Sequence, residues 1–411
     1  MKKKIIIKVF SAFAGFDTQF LALRQYARWY NQNTNGPQIE FKLVGWCEID
    51  KDAITSHNAL FPEARDNHYP DITKIDWVKV PDFDVLIYSS CCQSLTRTGA
   101  QRGMTEGSGT PSSLIWYLKD AIKVKVPKIC ILENVPPLLE TKFEGIFEKW
   151  RNAISRLGYR NTWSTMCAAD YGIPQNRNRA FLVSVKDDIK KSIYFPEPIG
   201  CMVTAEKLLE SEIAEKYYFS EVDALALVLS MNGKKSSAIE LPRIHNKGRC
   251  IKKIITPSCQ DYDIHVCPTL VADKNYGKCS YKRFLSTSHY PRPGVLEIWH
   301  ATERVSIPYK EIIMHATFET NKNYKIINDS REDILKQIDS MRNRVYFRLR
   351  RLTPRECFRL MSVEDSDINK LVTSGVPEDQ LYKMAGNAIV IKVLYHLYTS
   401  IFDDVEKWWK Q

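Results

Sequence analysis

The chain has 411 residues, 44% of them apolar, and a formal net charge of +11. That length buries a large core over about two or three domains and points to a soluble globular protein. The positive charge fits a polyanionic partner but does not identify one, since dispersed surface lysines give the same sum. The eleven cysteines include no Cys-x-x-Cys pair, and Cys47, Cys130 and Cys357 sit in apolar stretches. Reduced thiols in a cytoplasmic protein are therefore expected, not a disulfide framework.

The start, Met1 to Phe10, imitates a secretory signal, but Lys8 interrupts its apolar run. We expect neither export nor a membrane span, because no stretch approaches ~18 uninterrupted apolar residues. Short runs rich in β-branched residues then alternate with helical patterns. The runs are Ile5 to Phe10, Phe41 to Glu48, Phe83 to Ser89, Ile129 to Glu133, Thr162 to Cys167 and Phe181 to Val185. Between them, Thr18 to Tyr30, Pro111 to Val124 and Phe143 to Leu157 carry apolar residues at helical spacing, with Gly158 as a stop for the last. This alternation predicts an α/β fold built on a doubly wound sheet, with ligands at the carboxyl ends of its strands.

From about residue 190 to 346 the pattern dissolves, and Cys201, Cys250, Cys259, Cys267 and Cys279 accumulate. A second, smaller irregular domain is expected there. The spacing of its cysteines lacks a zinc knuckle, so no metal is expected. Thr353 and Pro354 then read as the cap and first residue of a helix, and a final helix from Ala388 to about Phe402 should pack back on the first part. The predicted organisation is a discontinuous domain, residues 1–189 and 347–411, interrupted by 190–346.

Four segments carry chemistry. Ser11-Ala12-Phe13-Ala14-Gly15-Phe16-Asp17 joins a strand to a helix, where glycine allows close approach of a ligand and helix-opening amides can hold a carboxylate. Glu48 ends the second strand, where an acidic residue can accept both hydroxyls of a ribose. The buried run Val85-Leu86-Ile87-Tyr88 leads through Ser89-Ser90 to Cys91-Cys92-Gln93, presenting a thiol at a sheet edge. A second buried run, Ile129 to Leu132, delivers Glu133-Asn134-Val135 to the same edge, and Gln175, Arg177 and Arg179 should share one side of an extended segment.

In order and spacing these segments, with Gly386-Asn387-Ala388, resemble the DNA cytosine-5 methyltransferase family of bacterial restriction-modification systems. The resemblance covers residues 5 to 185 and 347 to 400 and implies a Rossmann-like domain binding S-adenosylmethionine, with S-adenosylhomocysteine as product. It implies cofactor contacts from Phe13, Ala14, Gly15, Glu48, Ile49, Asp71, Ile72, Asn387 and Ala388, with Asp71 on the adenine amino group and Ile72 packed on the ring. It makes Cys92 the nucleophile that adds to carbon 6 of cytosine, Glu133 the group at ring nitrogen 3 and Arg179 the cation at the carbon 2 carbonyl. Arg177 joins this catalytic set. Glu133 must then carry or share a proton in a desolvated pocket.

Two departures stand out. Cys91 replaces the family's proline before the nucleophile, and Asp17 and Thr18 stand where glycines are usual. Gln93 fixes the register that selects Cys92 over Cys91.

The stretch from Ser94 through Arg97 and Thr98 to Gly109 looks like a loop that closes over a flipped base. DNA contacts are expected from Gln93, Arg97, Thr98 and Gln175, and from Thr269, Leu270, Lys274 and Asn275 beside the Thr-Leu signature of family recognition loops. The expected partner is double-stranded DNA, read by a monomer; a cognate restriction endonuclease could act on the same site without binding the enzyme. A tRNA cytosine-5 methyltransferase and an inactive DNA-binding homologue are the rival readings. Amino-group methylation is disfavoured because no Asp/Asn/Ser-Pro-Pro-Tyr/Phe motif occurs.

Overall fold

The alternating runs of the first 190 residues become one seven-stranded sheet in the computed structural model. The structure describes residues 3–90, 94–95, 103–200, 203–218, 251–255, 267–268, 294–300 and 345–409. The sheet contains β1 (Lys4–Ala12), β2 (Gln38–Cys47), β3 (His68–Tyr69), β4 (Val85–Tyr88), β5 (Ile129–Asn134), β6 (Tyr159–Cys167) and β8 (Asn178–Lys186); the two-residue β7 (Gln175–Asn176) lies outside it. The order is β3-β2-β1-β4-β5-β8-β6, parallel except that β8 runs antiparallel to both β5 and β6. Chain progression reverses between β1 and β4, and such a switch point opens a crevice at the carboxyl ends of the strands.

Both faces of the sheet are covered. Along β1, Ile5, Ile7 and Val9 enter one core and Phe10 and Ala12 the other; along β5, Ile129 and Ile131 oppose Cys130 and Leu132 in the same way. This is period two with both sides buried, which is why these strands read as continuous apolar runs. Helices α1 (Thr18–Asn33) and α2 (Lys51–Leu60) contribute to the first core, and α3 (Tyr117–Lys125) and α4 (Thr141–Ser155) to the second. The expected helix from Pro111 begins as a 3-10 turn, Pro111–Trp116, because the Thr110 hydroxyl takes the Ser113 amide and tightens the entry. Gly158, at φ +85°, ends the α4 turn in the left-handed conformation that favours glycine.

In the middle of the chain β9 (Ile251–Ile255), β11 (Gly294–His300) and β12 (Val345–Arg351) form an antiparallel sheet, and β10 (Cys267–Pro268) pairs in parallel with β7. Strand β12 runs through position 346, where composition alone suggested a boundary. Its last turn outward is fixed by Arg350, fully buried and paired bidentately with Glu356 at 2.8 and 2.9 Å.

Glu356 belongs to α5 (Pro354–Leu360), which opens with the expected Thr353 cap, completed by Glu356 as a capping box. Helices α6 (Asp365–Val372), α7 (Glu378–Asn387), α8 (Ile391–Phe402) and α9 (Val405–Trp408) return the chain to the sheet. The final long helix starts at Ile391, not Ala388, because α7 runs to Asn387 and Ala388 is extended. As expected, α8 packs on the first part of the chain: it enters the core of α1, and Tyr398 donates to the Gln19 carbonyl at 3.3 Å. Among the described residues no helix is long and apolar enough to cross a membrane.

Candidate active site

The loop between β1 and α1 is strained in a patterned way: Phe13, Gly15 and Asp17 all have positive φ, at 55°, 58° and 67°. Gly15 is there for its conformation and not for space, since a Cβ on it would touch nothing within 4 Å. Asp17 tolerates the left-handed region because its carboxylate caps α1, accepting from the Phe20 amide and the Ser11 hydroxyl, both at 3.0 Å. A glycine is thus dispensable at Asp17. A bulky residue such as Phe13 at positive φ marks a segment held in place by its surroundings.

Glu48, just past β2, is part of what holds it. One carboxylate oxygen accepts the Gly15 amide and the other the Ile49 and Asp50 amides, all at 2.8 Å. The His68 ring bonds the Glu48 carbonyl at 2.9 Å. Next to it Ile49 is 74% exposed, an open apolar surface at the crevice. Ile72 differs from expectation. At 5% exposure it packs into the second core with Phe10 and Trp77, so Ile49 and not Ile72 offers an apolar face there. Asp71 accepts the hydroxyl and amide of Thr73, and with Lys74 nearby its carboxyl is held below the usual carboxylate range. The Gly386-Asn387-Ala388 turn joins the same loop, since the Ile389 amide donates to the Thr18 hydroxyl at 3.2 Å and Asn387 is exposed. Phe13, Ala14, Gly15, Glu48, Ile49, Asn387 and Ala388 therefore gather at one end of the sheet.

The other half lies beside it. Parallel pairing aligns Tyr88 of β4 with Leu132 of β5, so Ser89, just past β4, lies beside Glu133, the next residue of β5. Glu133, 5% exposed, is held on both oxygens: Arg179 Nε lies 3.1 Å from Oε1, and the Ser89 hydroxyl donates to Oε2. Asn134 donates its amide to the carbonyl and hydroxyl of Ser90, at 3.2 and 3.1 Å, fixing the segment that leads to Cys91 and Cys92. Of the neighbouring thiols, Cys47 is pushed up to about 12 by burial and by the charge of Glu48, and burial drives Cys130 higher. Neither supplies a thiolate near neutral pH.

Gln175 and Arg177 do not join Arg179. Gln175 is fully buried and donates to the Leu360 carbonyl at 2.8 Å; Arg177, 2% exposed, donates to the Gly386 and Ala388 carbonyls at 2.8 and 2.7 Å. The common face expected for the three fails because Arg177 lies between β7 and β8, where strand alternation is interrupted. Arg177 thus holds the Gly386-Ala388 turn, and Gln175 ties its segment to the end of α5.

Cys92, Gln93, Arg97, Thr98, Thr269, Leu270, Lys274 and Asn275 lie outside the described residues. Their flanks are placed. Leu95 is fully buried, the Gly103 amide closes on the Ser94 carbonyl at 2.9 Å, and the β10–β7 pairing ends one residue before Thr269. Ser89, Asn134 and Thr18 hold the site in ways the sequence did not assign to them; for Ser89 and Asn134 the signal was that two apolar runs end in polar residues.

The chain resembles known proteins along nearly all of its length. It is 25% identical to the orphan methyltransferase M.SPRI of Bacillus phage SPR, over 96% of this chain and 97% of the phage protein. It is 26% identical to the type II methyltransferase M2.ScrFI of Lactococcus lactis subsp. cremoris, over 97% and 99%. In fold it is similar to a Spodoptera frugiperda DNMT2 mutant, with a TM-score of 0.61 at 15% identity, covering 96% of this chain and 99% of that one. Residues 7–403 match the profile of C-5 cytosine-specific DNA methylases, and with that match the chain belongs to the C-5 cytosine-specific DNA methylase family.

Proposed function

We propose that this DNA cytosine-5 methyltransferase acts on a cytosine flipped out of a specific duplex sequence, through a transient thioether between Cys92 and carbon 6 of the ring. The observation that carries the reading is the Glu133–Arg179 pair, set at the carboxyl edge beside the strand that leads to Cys92. Addition of the thiolate to carbon 6 makes carbon 5 an enamine carbon, and negative charge builds on nitrogen 3. Glu133 gives that nitrogen a proton, while Arg179 holds the carbonyl at carbon 2. After methylation carbon 5 loses its proton to water, Glu133 takes back the proton on nitrogen 3, the carbon 6–sulfur bond breaks, and the Cys92 thiolate is released.

The donor the family uses fits the first half of the site: a strained loop with an open glycine, a fixed carboxylate and an exposed apolar side chain. Phe13, Ala14 and Gly15 would take the methionine end of S-adenosylmethionine, Glu48 the ribose hydroxyls, Ile49 a face of the adenine and Asp71 its amino group. When bound it supplies an electrophilic methyl and leaves as S-adenosylhomocysteine. In this reading residues 1–189 and 347–411 form the catalytic part and 190–346 read the target, with Thr269, Leu270, Lys274 and Asn275 at base edges and Gln93, Arg97 and Thr98 closing over the flipped base. The enzyme would act as a cytoplasmic monomer.

Bisulfite sequencing of plasmid DNA from cells expressing the chain tests activity, base and context together. Methylated cytosines in one sequence context are expected, lost in Cys92→Ser and retained in Cys91→Ser. Duplex DNA with 5-fluorocytosine in that context should trap a covalent adduct at Cys92. An active preparation that forms no adduct, or methylation of tRNA and not of DNA, contradicts the proposal.

A further inference from the structure

We infer that Ser89 is a positioning residue for Glu133, the hydroxyl that keeps this carboxyl aimed while its proton comes and goes. The inference rests on the role proposed above for Glu133.

The two partners of Glu133 differ in kind. Arg179, 3.1 Å from Oε1, has only N–H groups and can only donate. Ser89, at Oε2, has a hydroxyl that donates to a carboxylate and, after turning about its C–O bond, accepts from a carboxylic acid. The reaction requires both forms. Glu133 gives its proton to the lone pair of ring nitrogen 3 as sulfur adds to carbon 6, and it recovers that proton when the carbon 6–sulfur bond breaks. Before the base enters, the Ser89 hydroxyl can accept the acid proton on Oε2; once that proton is turned to ring nitrogen 3, and after it has been given up, the hydroxyl donates to another lone pair of Oε2, so the carboxyl keeps its second partner and the side chain does not swing. The backbone supports this: Ser89 is half-buried at the edge of the cleft, its neighbour Ser90 is fixed by Asn134, and the aligned ends of β4 and β5 bring Ser89 to Glu133 without a loop between them.

Steady-state methyl transfer to duplex DNA by the full chain tests this with the isosteric pair Ser89→Thr and Ser89→Val, together with Ser89→Ala and Glu133→Ala. Thr keeps the hydroxyl; Val has the same shape without it. We expect kcat to fall about tenfold in the Val and Ala variants, with KM for DNA and for S-adenosylmethionine within about twofold of the parent, and Thr to keep at least about a third of parental kcat. If Val and Ala keep parental kcat while Glu133→Ala is inactive, the inference fails and the role of Glu133 stands. Equal losses in Thr and Val, or a loss confined to KM, also overturn it. If Glu133→Ala itself keeps parental kcat, the reading of Glu133 fails, and the inference falls with it. Thermal unfolding of each variant separates loss of fold from loss of rate.

Discussion

A carboxylate that binds two ribose hydroxyls is most effective when it is fixed before the ligand arrives, and Glu48 is fixed by three backbone amides at 2.8 Å. Those bonds take three of the four carboxylate lone pairs, both of Oε1 and one of Oε2, so Oε2 keeps one free for a ligand, and no ligand binding energy is spent on ordering the side chain. Removing it should cost cofactor affinity. For Glu48→Ala we expect a loss of about 1.5–3 kcal/mol, the usual worth of hydrogen bonds to a charged group, with duplex DNA binding at fixed salt unchanged. Calorimetry with S-adenosylmethionine measures it, and parental affinity in this variant would remove Glu48 from the site. Glu48 was legible in the sequence because its place follows from one strand end. Ser89 was not: its partner lies 44 residues away, and their meeting depends on the parallel register of β4 and β5.

At the scale of elements, the start of α2 beside the crevice is tied to the middle of α7. Asp50 caps α2 through the Asp52 and Ala53 amides, and its other oxygen meets Lys383 of α7 at 2.5 Å. Burial alone would raise the Asp50 carboxyl, but Lys383 and the two amides outweigh it, so the group titrates below the usual carboxylate range. A depressed folded-state value stabilises above the unfolded value, about 4, and this contribution is lost as pH falls through the folded value. Both side chains are about a third exposed, at 34% and 33%, so solvent screens the pair. Lys383→Ala is expected to cost about 0.5–1 kcal/mol at pH 7, a difference that shrinks toward zero as pH falls below about 4. Urea unfolding at the two pH values checks it; an equal deficit at both would show that the charge pair is not the cause. The helix capped by Thr353 was readable because its signal is local. The separation of Gln175 and Arg177 from Arg179 was not, because it depends on β7 joining β10 while β8 joins the main sheet.

At the scale of the molecule, the chain closes its first core with its last residues. One apolar cluster unites Ile7 and Val9 of β1, Leu21 and Leu23 of α1, and Ile391, Leu394, Leu397, Ile401 and Phe402 of α8. Polar clasps run along the same seam: Tyr30 donates to Glu406 at 3.0 Å, Lys191 meets Asp403 at 2.6 Å, and Arg177 binds the carbonyls of Gly386 and Ala388. Each large apolar side chain of α8 contributes about 1.5–3 kcal/mol when fully buried, so five together approach or exceed the ~5–15 kcal/mol by which a domain is stable. Truncation after Asn387 should therefore leave a chain without a cooperative thermal transition and without S-adenosylmethionine binding, although β1 to β8 and every proposed cofactor contact except Ala388 remain. Arg177→Ala, which removes a clasp but keeps the apolar seam, should still melt cooperatively, at a lower temperature, with weaker cofactor binding because the Ala388 turn is released beside Thr18. Thermal unfolding and calorimetry on the parent, the truncation and Arg177→Ala distinguish these outcomes. A truncated chain that melts cooperatively and binds cofactor like the parent would mean that the first sheet folds without its C-terminal cover, and that the shared core does not set the stability of the site.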